Sequence, residues 1–144
     1  DTIYPIMGTI RKGEMKMKPK ELVSVEASPA LGPYCHGRKY GDMILTSGQI
    51  PLTKNGEYVY EVKAATALVL GNLLSIVEAG GGCKESVARV EVYIRDLKDF
   101  AQINESYKEF FGNHRPARVC VQVAALPEDV PLEASMIAFA ESGT

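Results

Sequence analysis

Residues 61–95 read EVKAATALVLGNLLSIVEAGGGCKESVARVEVYIR, and the hydrophobic period changes once along them. From Glu61 to Ala79, Ala65, Leu68, Asn72, Ile76 and Ala79 recur at spacings of three and four. Val69, Leu73 and Val77 widen that stripe, and Asn72 is its one polar member. This is the pattern of a helix with one buried face. Gly80-Gly81-Gly82 stops it. Then Val90, Val92 and Ile94 alternate with Arg89, Glu91, Tyr93 and Arg95, which is the period of a half-buried strand.

Upstream, Leu22–Ala27 reads as a short strand, followed by the breakers Ser28-Pro29 and Gly32-Pro33. Tyr34–Tyr40 and Met43–Ser47 flank Gly41-Asp42 and predict a hairpin. Downstream, Asp99 opens a second helix as an N-cap or first-turn acid, with Phe100, Ile103, Tyr107, Phe110 and Phe111 as its apolar side. Gly112 ends it. Arg118–Leu126 alternates again, Pro127–Pro131 makes a turn, and Leu132–Ala140 is a last strand. Helices interleaved with strands, with hairpin-like pairs at both ends, predict an α+β layer: one mixed sheet with two helices on one face. The other sheet face needs a cover, and a copy of the same chain is the simplest one.

The chain has 144 residues, one domain's worth, and the sequence runs dense and without a linker over residues 21–144, which read as a single domain. Residues 1–20 carry a basic surplus and no apolar period, so they read as a leader or a poorly ordered extension. Lys+Arg number 16 and Asp+Glu 18, a net charge of -2 that argues against a nucleic-acid partner. No uninterrupted apolar run is long enough to span a membrane. Cys35, Cys83 and Cys120 form neither a disulfide framework nor a zinc motif. They fit a reducing compartment, which the cytoplasm supplies; an organelle-targeting remnant in the leader would place the protein in a mitochondrion.

Arg118 shares a strand face with Cys120 and Gln122, opposite Val119, Val121 and Val123. An arginine there requires an anion, and its planar fork fits a carboxylate. The anion can be a ligand, or an internal partner such as Glu133 or Glu91. Glu133, between Leu132 and Ala134, is that partner, a strand-edge charge, or a base that orients a water. Cys120 has no patterned histidine beside it and reads as a small buried thiol. Adjacent Cys35 and His36 point to opposite faces of a strand and make neither a dyad nor a metal pair. Gly80–Gly82 with Cys83-Lys84-Glu85-Ser86 lacks phosphate-loop spacing. Tyr34 packs at a loop-to-strand junction or walls a pocket.

Several segments recur together: Leu31-Gly32-Pro33-Tyr34, Ile44-Leu45-Thr46-Ser47-Gly48-Gln49-Ile50-Pro51, and Arg95-Asp96-Leu97-Lys98-Asp99-Phe100 with Asn104 and Tyr107. Arg115-Pro116-Ala117-Arg118-Val119-Cys120-Val121, Leu126-Pro127 and Leu132-Glu133 follow. Over residues 22–140 the chain resembles the RidA family, also called the YjgF family. The resemblance implies a chorismate-mutase-like α+β fold, homotrimers with clefts between subunits, and hydrolysis of 2-aminoacrylate or 2-iminobutanoate to a 2-oxo acid and ammonia without metal or cofactor. It implies that Arg118 clamps the substrate carboxylate and Glu133 positions the attacking water. It places Tyr34, Ser47, Gly48, Phe100, Asn104 and the backbone of Cys120 around the substrate. Cys35-His36 after the tyrosine, Ala134, and Ser135 in place of a frequent second acid depart from the family pattern.

Overall fold

The computed structural model describes residues 19–141. Six strands form one mixed sheet: β1 (Pro19–Leu22), β2 (Gly37–Tyr40), β3 (Met43–Thr46), β4 (Val87–Ile94), β5 (Ala117–Gln122) and β6 (Leu132–Phe139). Their order across the sheet is β1-β2-β3-β6-β4-β5. Only the β4–β5 pair is parallel; the remaining neighbours are antiparallel. Two helices, α1 (Val62–Ala79) and α2 (Phe100–Phe111), pack together over one face.

Residues 1–18 of the expected leader lie outside the described residues, whereas Pro19 and Lys20 pair with Tyr40 and Lys39 in β1. The expected strand Leu22–Ala27 is displaced: β1 ends at Leu22, and Val25 is 83% exposed. The cause is Ser24. Its N–H donates to His36 Nδ1 at 3.0 Å, and its hydroxyl accepts from Glu26 N–H at 3.2 Å, which turns the chain out of the sheet. The expected hairpin forms around Gly41, whose φ of 59° suits a glycine.

Glu61 caps α1, its carboxylate accepting from the Ala64 N–H at 2.5 Å. The predicted stripe is the core face over most of its length: Ala65, Val69, Leu73, Ile76 and Val77 are buried in one cluster with Ile44, Val90, Met136 and Ala138, whereas Leu68 is partly buried and Ala79, at the helix end, is exposed. The 18 residues of α1 therefore serve a protein core although they match a membrane-spanning length. Asn72 is buried there because its amide donates to Leu52 O at 3.0 Å and ties down the loop after β3. Asp99 occupies the cap position of α2 without capping it; a 3-10 turn at Leu97–Asp99 precedes the helix, and the capping carboxylate is Asp96, which accepts from the Lys98 N–H.

The strand expected over Arg118–Leu126 stops at Gln122, and one further bond, Val123 N–H to Ile94 O at 3.0 Å, ends the pairing. Register sorts the two faces. Val90 lies beside Arg118 and Val92 beside Cys120, so Arg118 and Cys120 are on the helix side. Glu91 lies beside Val119, and Tyr93 is flanked by Val121 and Glu133. Those residues, with Ile137 and Phe139, make up the face that no helix covers.

Candidate active site

β5 and α2 build the first half of the site. A pocket of about 480 Å³ is lined by Asn104, Tyr107, Lys108, Arg115, Pro116 and Arg118. The Arg118 guanidinium stacks over two rings, 4.8 Å from the centre of Tyr107 and 5.7 Å from that of Phe100. Both rings come from α2, where Phe100, Asn104 and Tyr107 follow one another at spacings of four and three along one helical side. Among the described residues Arg118 has neither an ion pair nor a hydrogen bond. Glu91, its expected partner, is taken by Arg89 at 3.5 Å and by the Tyr93 hydroxyl at 2.9 Å. The lining contains three cations and no carboxylate. Tyr107 is 8% exposed, and its hydroxyl is buried without a partner. Burial pushes its pKa up to about 12, against the pull of Arg118 and Arg115. Burial also pushes the Cys120 thiol up, and Arg118 opposes the shift. Cys120 packs against the core as expected for a small apolar thiol.

The second half lies on the other side of the sheet. A cleft of about 560 Å³ is lined by Leu31, Tyr34, Ser47, Gly48, Ile50, Pro127 and Glu133. Glu133 is half-buried, accepts no hydrogen bond and has no cation within ion-pair distance among the described residues. Desolvation holds its carboxyl above the usual carboxylate range. Gly48 lets it lie there: a Cβ at Gly48 would run into the Glu133 carboxylate, with Cδ 3.1 Å away. Gly48 is placed by the bridge beyond β3, where Gln49 and Ala134 exchange backbone hydrogen bonds at 2.8 and 3.1 Å. The Ser47 hydroxyl donates to Cys35 O at 2.7 Å and keeps its lone pairs for an incoming donor.

Tyr34 is presented by an anchored loop. His36 Nδ1 accepts from Ser24 N–H, so the ring proton sits on Nε2, which donates to Ser28 O at 2.8 Å. Ser28 in turn donates to Gln49 Oε1 at 3.0 Å. The Cys35-His36 pair thus serves as a loop anchor, a role for which the sequence carries no pattern. Tyr34 is 47% exposed, and its hydroxyl accepts from Leu31 N–H at 3.2 Å.

The structure therefore groups Tyr34, Ser47, Gly48 and Glu133 in one place and Phe100, Asn104, Cys120 and Arg118 in another. The internal Arg118–Glu133 ion pair does not form, because register puts the two side chains on opposite faces. Lys108 also lines the first pocket and Ile50 and Pro127 the second, without any role read for them in the sequence. Lys108 is one residue from Tyr107 on a charged helix face, and nothing separates it there from an ordinary solvated lysine. Among the described residues no three His, Cys, Asp or Glu side chains converge as metal ligands.

The family model described as Endoribonuclease L-PSP matches residues 25–140. The 2-iminobutanoate/2-iminopropanoate deaminase of Escherichia coli is 43% identical over 123 residues, covering 83% of this chain and 96% of the relative. A RutC family protein of Pyrococcus horikoshii is 43% identical over 125 residues, covering 85% and 99%. The crystal structure of Escherichia coli TdcF with bound serine superposes with a TM-score of 0.82 at 44% identity, over 85% of this chain and 99% of that one. With the family model, the relatives and the solved fold in agreement, the chain belongs to the RidA/YjgF family.

Proposed function

We propose that the protein hydrolyses 2-imino acids and their enamine tautomers, such as 2-iminobutanoate and 2-aminoacrylate, to 2-oxo acids and ammonia. We propose further that it works as a homotrimer in which each cleft joins the Arg118 half of one chain to the Glu133 half of the next. The observation that carries this reading is Arg118: a guanidinium on an aromatic platform, in a pocket with no carboxylate, is vacant for an anionic head group. The relatives' deaminase names and the serine in the TdcF structure support a small carboxylic acid as that head group.

The chemistry follows from the groups. Arg118 grips the substrate carboxylate with two parallel N–H donors and fixes the position of the neighbouring imine carbon. That carbon is electrophilic once the imine nitrogen is protonated. Glu133 orients a water and takes one of its protons as the water oxygen bonds to carbon. The C=N pair collapses onto nitrogen and gives a tetrahedral amino alcohol. Glu133 returns the proton to nitrogen, the C–N bond breaks and ammonia leaves, and the oxygen forms the new C=O as its proton passes to the Glu133 carboxylate and on to solvent, matching the proton that the imine took up. The reaction is redox-neutral and needs only water besides these side chains. The apolar wall of Leu31, Ile50 and Pro127 takes the substrate's side chain.

The test is a coupled assay in which a threonine dehydratase generates 2-iminobutanoate. The wild-type protein should accelerate its loss over buffer, and Arg118→Ala should bring the rate back to that of buffer. Wild type and variant both running at the buffer rate would sink the deaminase. Binding of 2-oxo acids with no rate effect would replace it by a non-catalytic carboxylic-acid binder. Cleavage of RNA, the activity in the family description, is disfavoured by the net charge of -2. It would be revived by nuclease activity that persists in Arg118→Ala through further purification.

A further inference from the structure

Two consecutive residues beside the Glu133 cleft hold a backbone conformation that residues with a Cβ avoid. Glu128 has φ 53° and ψ 22°, and Asp129 has φ 54°. Asp tolerates this region better than most residues, but Glu does not. Strain of this kind survives only where the surroundings over-determine it, and it gathers at functional sites. Here the surroundings are two clamps. The Tyr60 hydroxyl donates to Glu128 O at 2.8 Å. Arg95 Nη1 donates to Asp129 O at 2.9 Å and lies 3.5 Å from the Asp129 carboxylate. The turn itself closes through Asp129 N–H to Leu126 O at 3.1 Å and Val130 N–H to Pro127 O at 3.2 Å. Pro127, inside this turn, is a wall of the cleft that holds Glu133.

Arg95 also reaches the other way. Its Nη2 lies 3.7 Å from Asp99 Oδ2, an atom that is buried and accepts no hydrogen bond. Asp99 immediately precedes α2, which carries Phe100 under Arg118 and Asn104 in the Arg118 pocket. Arg95 itself is held just beyond β4, where its N–H donates to Pro131 O at 3.0 Å. One planar fork thus touches the turn that shapes one half-site and the helix start that shapes the other. A lysine, with a single ammonium, cannot hold both places at once.

We propose that Arg95 is a positioning residue that sets both half-sites, through the left-handed turn carrying Pro127 and through the first turn of α2. The choice of reporter substrate rests on the deaminase reading; the clamp does not. In the full-length protein, Arg95→Met should raise KM for 2-iminobutanoate roughly tenfold while kcat stays within about twofold. Amide hydrogen exchange at Asp129 and Val130 should quicken in the same variant. Adding Asp129→Gly should slow that exchange again and restore the share of KM that the turn carries, because glycine holds a positive φ without a clamp, and should leave the share carried through Asp99 and the start of α2. If Arg95→Met does not fold, Arg95→Lys carries the comparison, with a smaller rise in KM and the same rescue. A wild-type KM in either variant would overturn the proposal. So would a raised KM without faster exchange at those amides, or exchange that stays fast once Asp129→Gly is added. A wild-type protein with no turnover would sink the deaminase reading alone, since the exchange data still decide the clamp.

Discussion

Glu133 shows at the scale of one residue how a site opposes stability. Its carboxyl is desolvated, and among the described residues no cation or hydrogen-bond donor compensates the charge. The folded protein therefore holds the Glu133 proton to a higher pH than the unfolded chain does. That contribution to stability is complete below the unfolded carboxylate range, and it is lost as pH rises through the raised folded value. Once ionised, the side chain works against the fold, the cost that a group retained for acid–base work would carry. Glu133→Gln should leave the protein at least as stable at neutral pH and should remove this part of the pH dependence. It should also lower kcat by ~10²–10⁴-fold. In the wild type, the acid limb of kcat/KM should lie above the ordinary carboxylate range, since only the ionised form accepts a proton. Thermal melts and rate profiles from about pH 4 to 8 read both effects. A variant destabilised at neutral pH would reveal a partner for Glu133 and remove the argument.

Elements place these residues, and some of that placement is legible in the sequence. The stripe from Ala65 to Ile76 and the alternation from Val90 to Ile94 are periodic, and the structure realises both. The turn chemistry of Gly41-Asp42 likewise specified a hairpin. Three features were not legible, two of them because they depend on partners distant in sequence and one because two nearby aspartates compete for the cap. Val23 and Val25 look like strand residues, but Ser24 bonds to His36, twelve positions on, and turns the chain away. Asp96 caps a turn ahead of α2 where Asp99 was expected to cap the helix itself. Alternation within β5 separated Arg118 from Val119, yet only its pairing with β4 shows that Arg118 faces the helices while Glu133 faces away. The same dependence appears at Gly48, where β3 runs on toward its bridge with β6. Gly48→Ala adds one methyl group whose nearest neighbours are all atoms of the Glu133 side chain. The carboxylate must swing aside while the backbone can stay. The variant should thus keep its melting temperature within a few degrees, about the shift that 1 kcal/mol produces. It should lose deaminase activity about as fully as Glu133→Gln does. A large loss of stability with activity retained would show that the glycine serves the backbone instead.

On the scale of the whole molecule, one chain does not bring Arg118 and Glu133 together. Arg118 and Glu133 are on opposite faces of the sheet, and no side-chain rotation carries either one through it. The uncovered face also presents Val119, Val121 and Phe139, each more than one-third exposed, a surface suited to a second copy. If each cleft takes its arginine from one chain and its carboxylate from the next, two inactive variants can repair each other. Arg118→Ala retains Glu133, and Glu133→Gln retains Arg118. In a trimer assembled from an equal mixture, a cleft is intact when a Glu133→Gln chain supplies the arginine and an Arg118→Ala chain the carboxylate. That arrangement occurs in about a quarter of clefts, half the chains times half their neighbours. Co-expressing the two variants should therefore restore about a quarter of wild-type activity, while mixing the separately purified proteins without subunit exchange should restore none. The double variant Arg118→Ala/Glu133→Gln, mixed with wild type in the same way, gives the reference: it too should leave about a quarter of clefts intact, because both required chains must be wild type. A site contained in one chain behaves differently in both mixtures. The two single variants would then stay inactive together, and the wild-type mixture would keep half its activity.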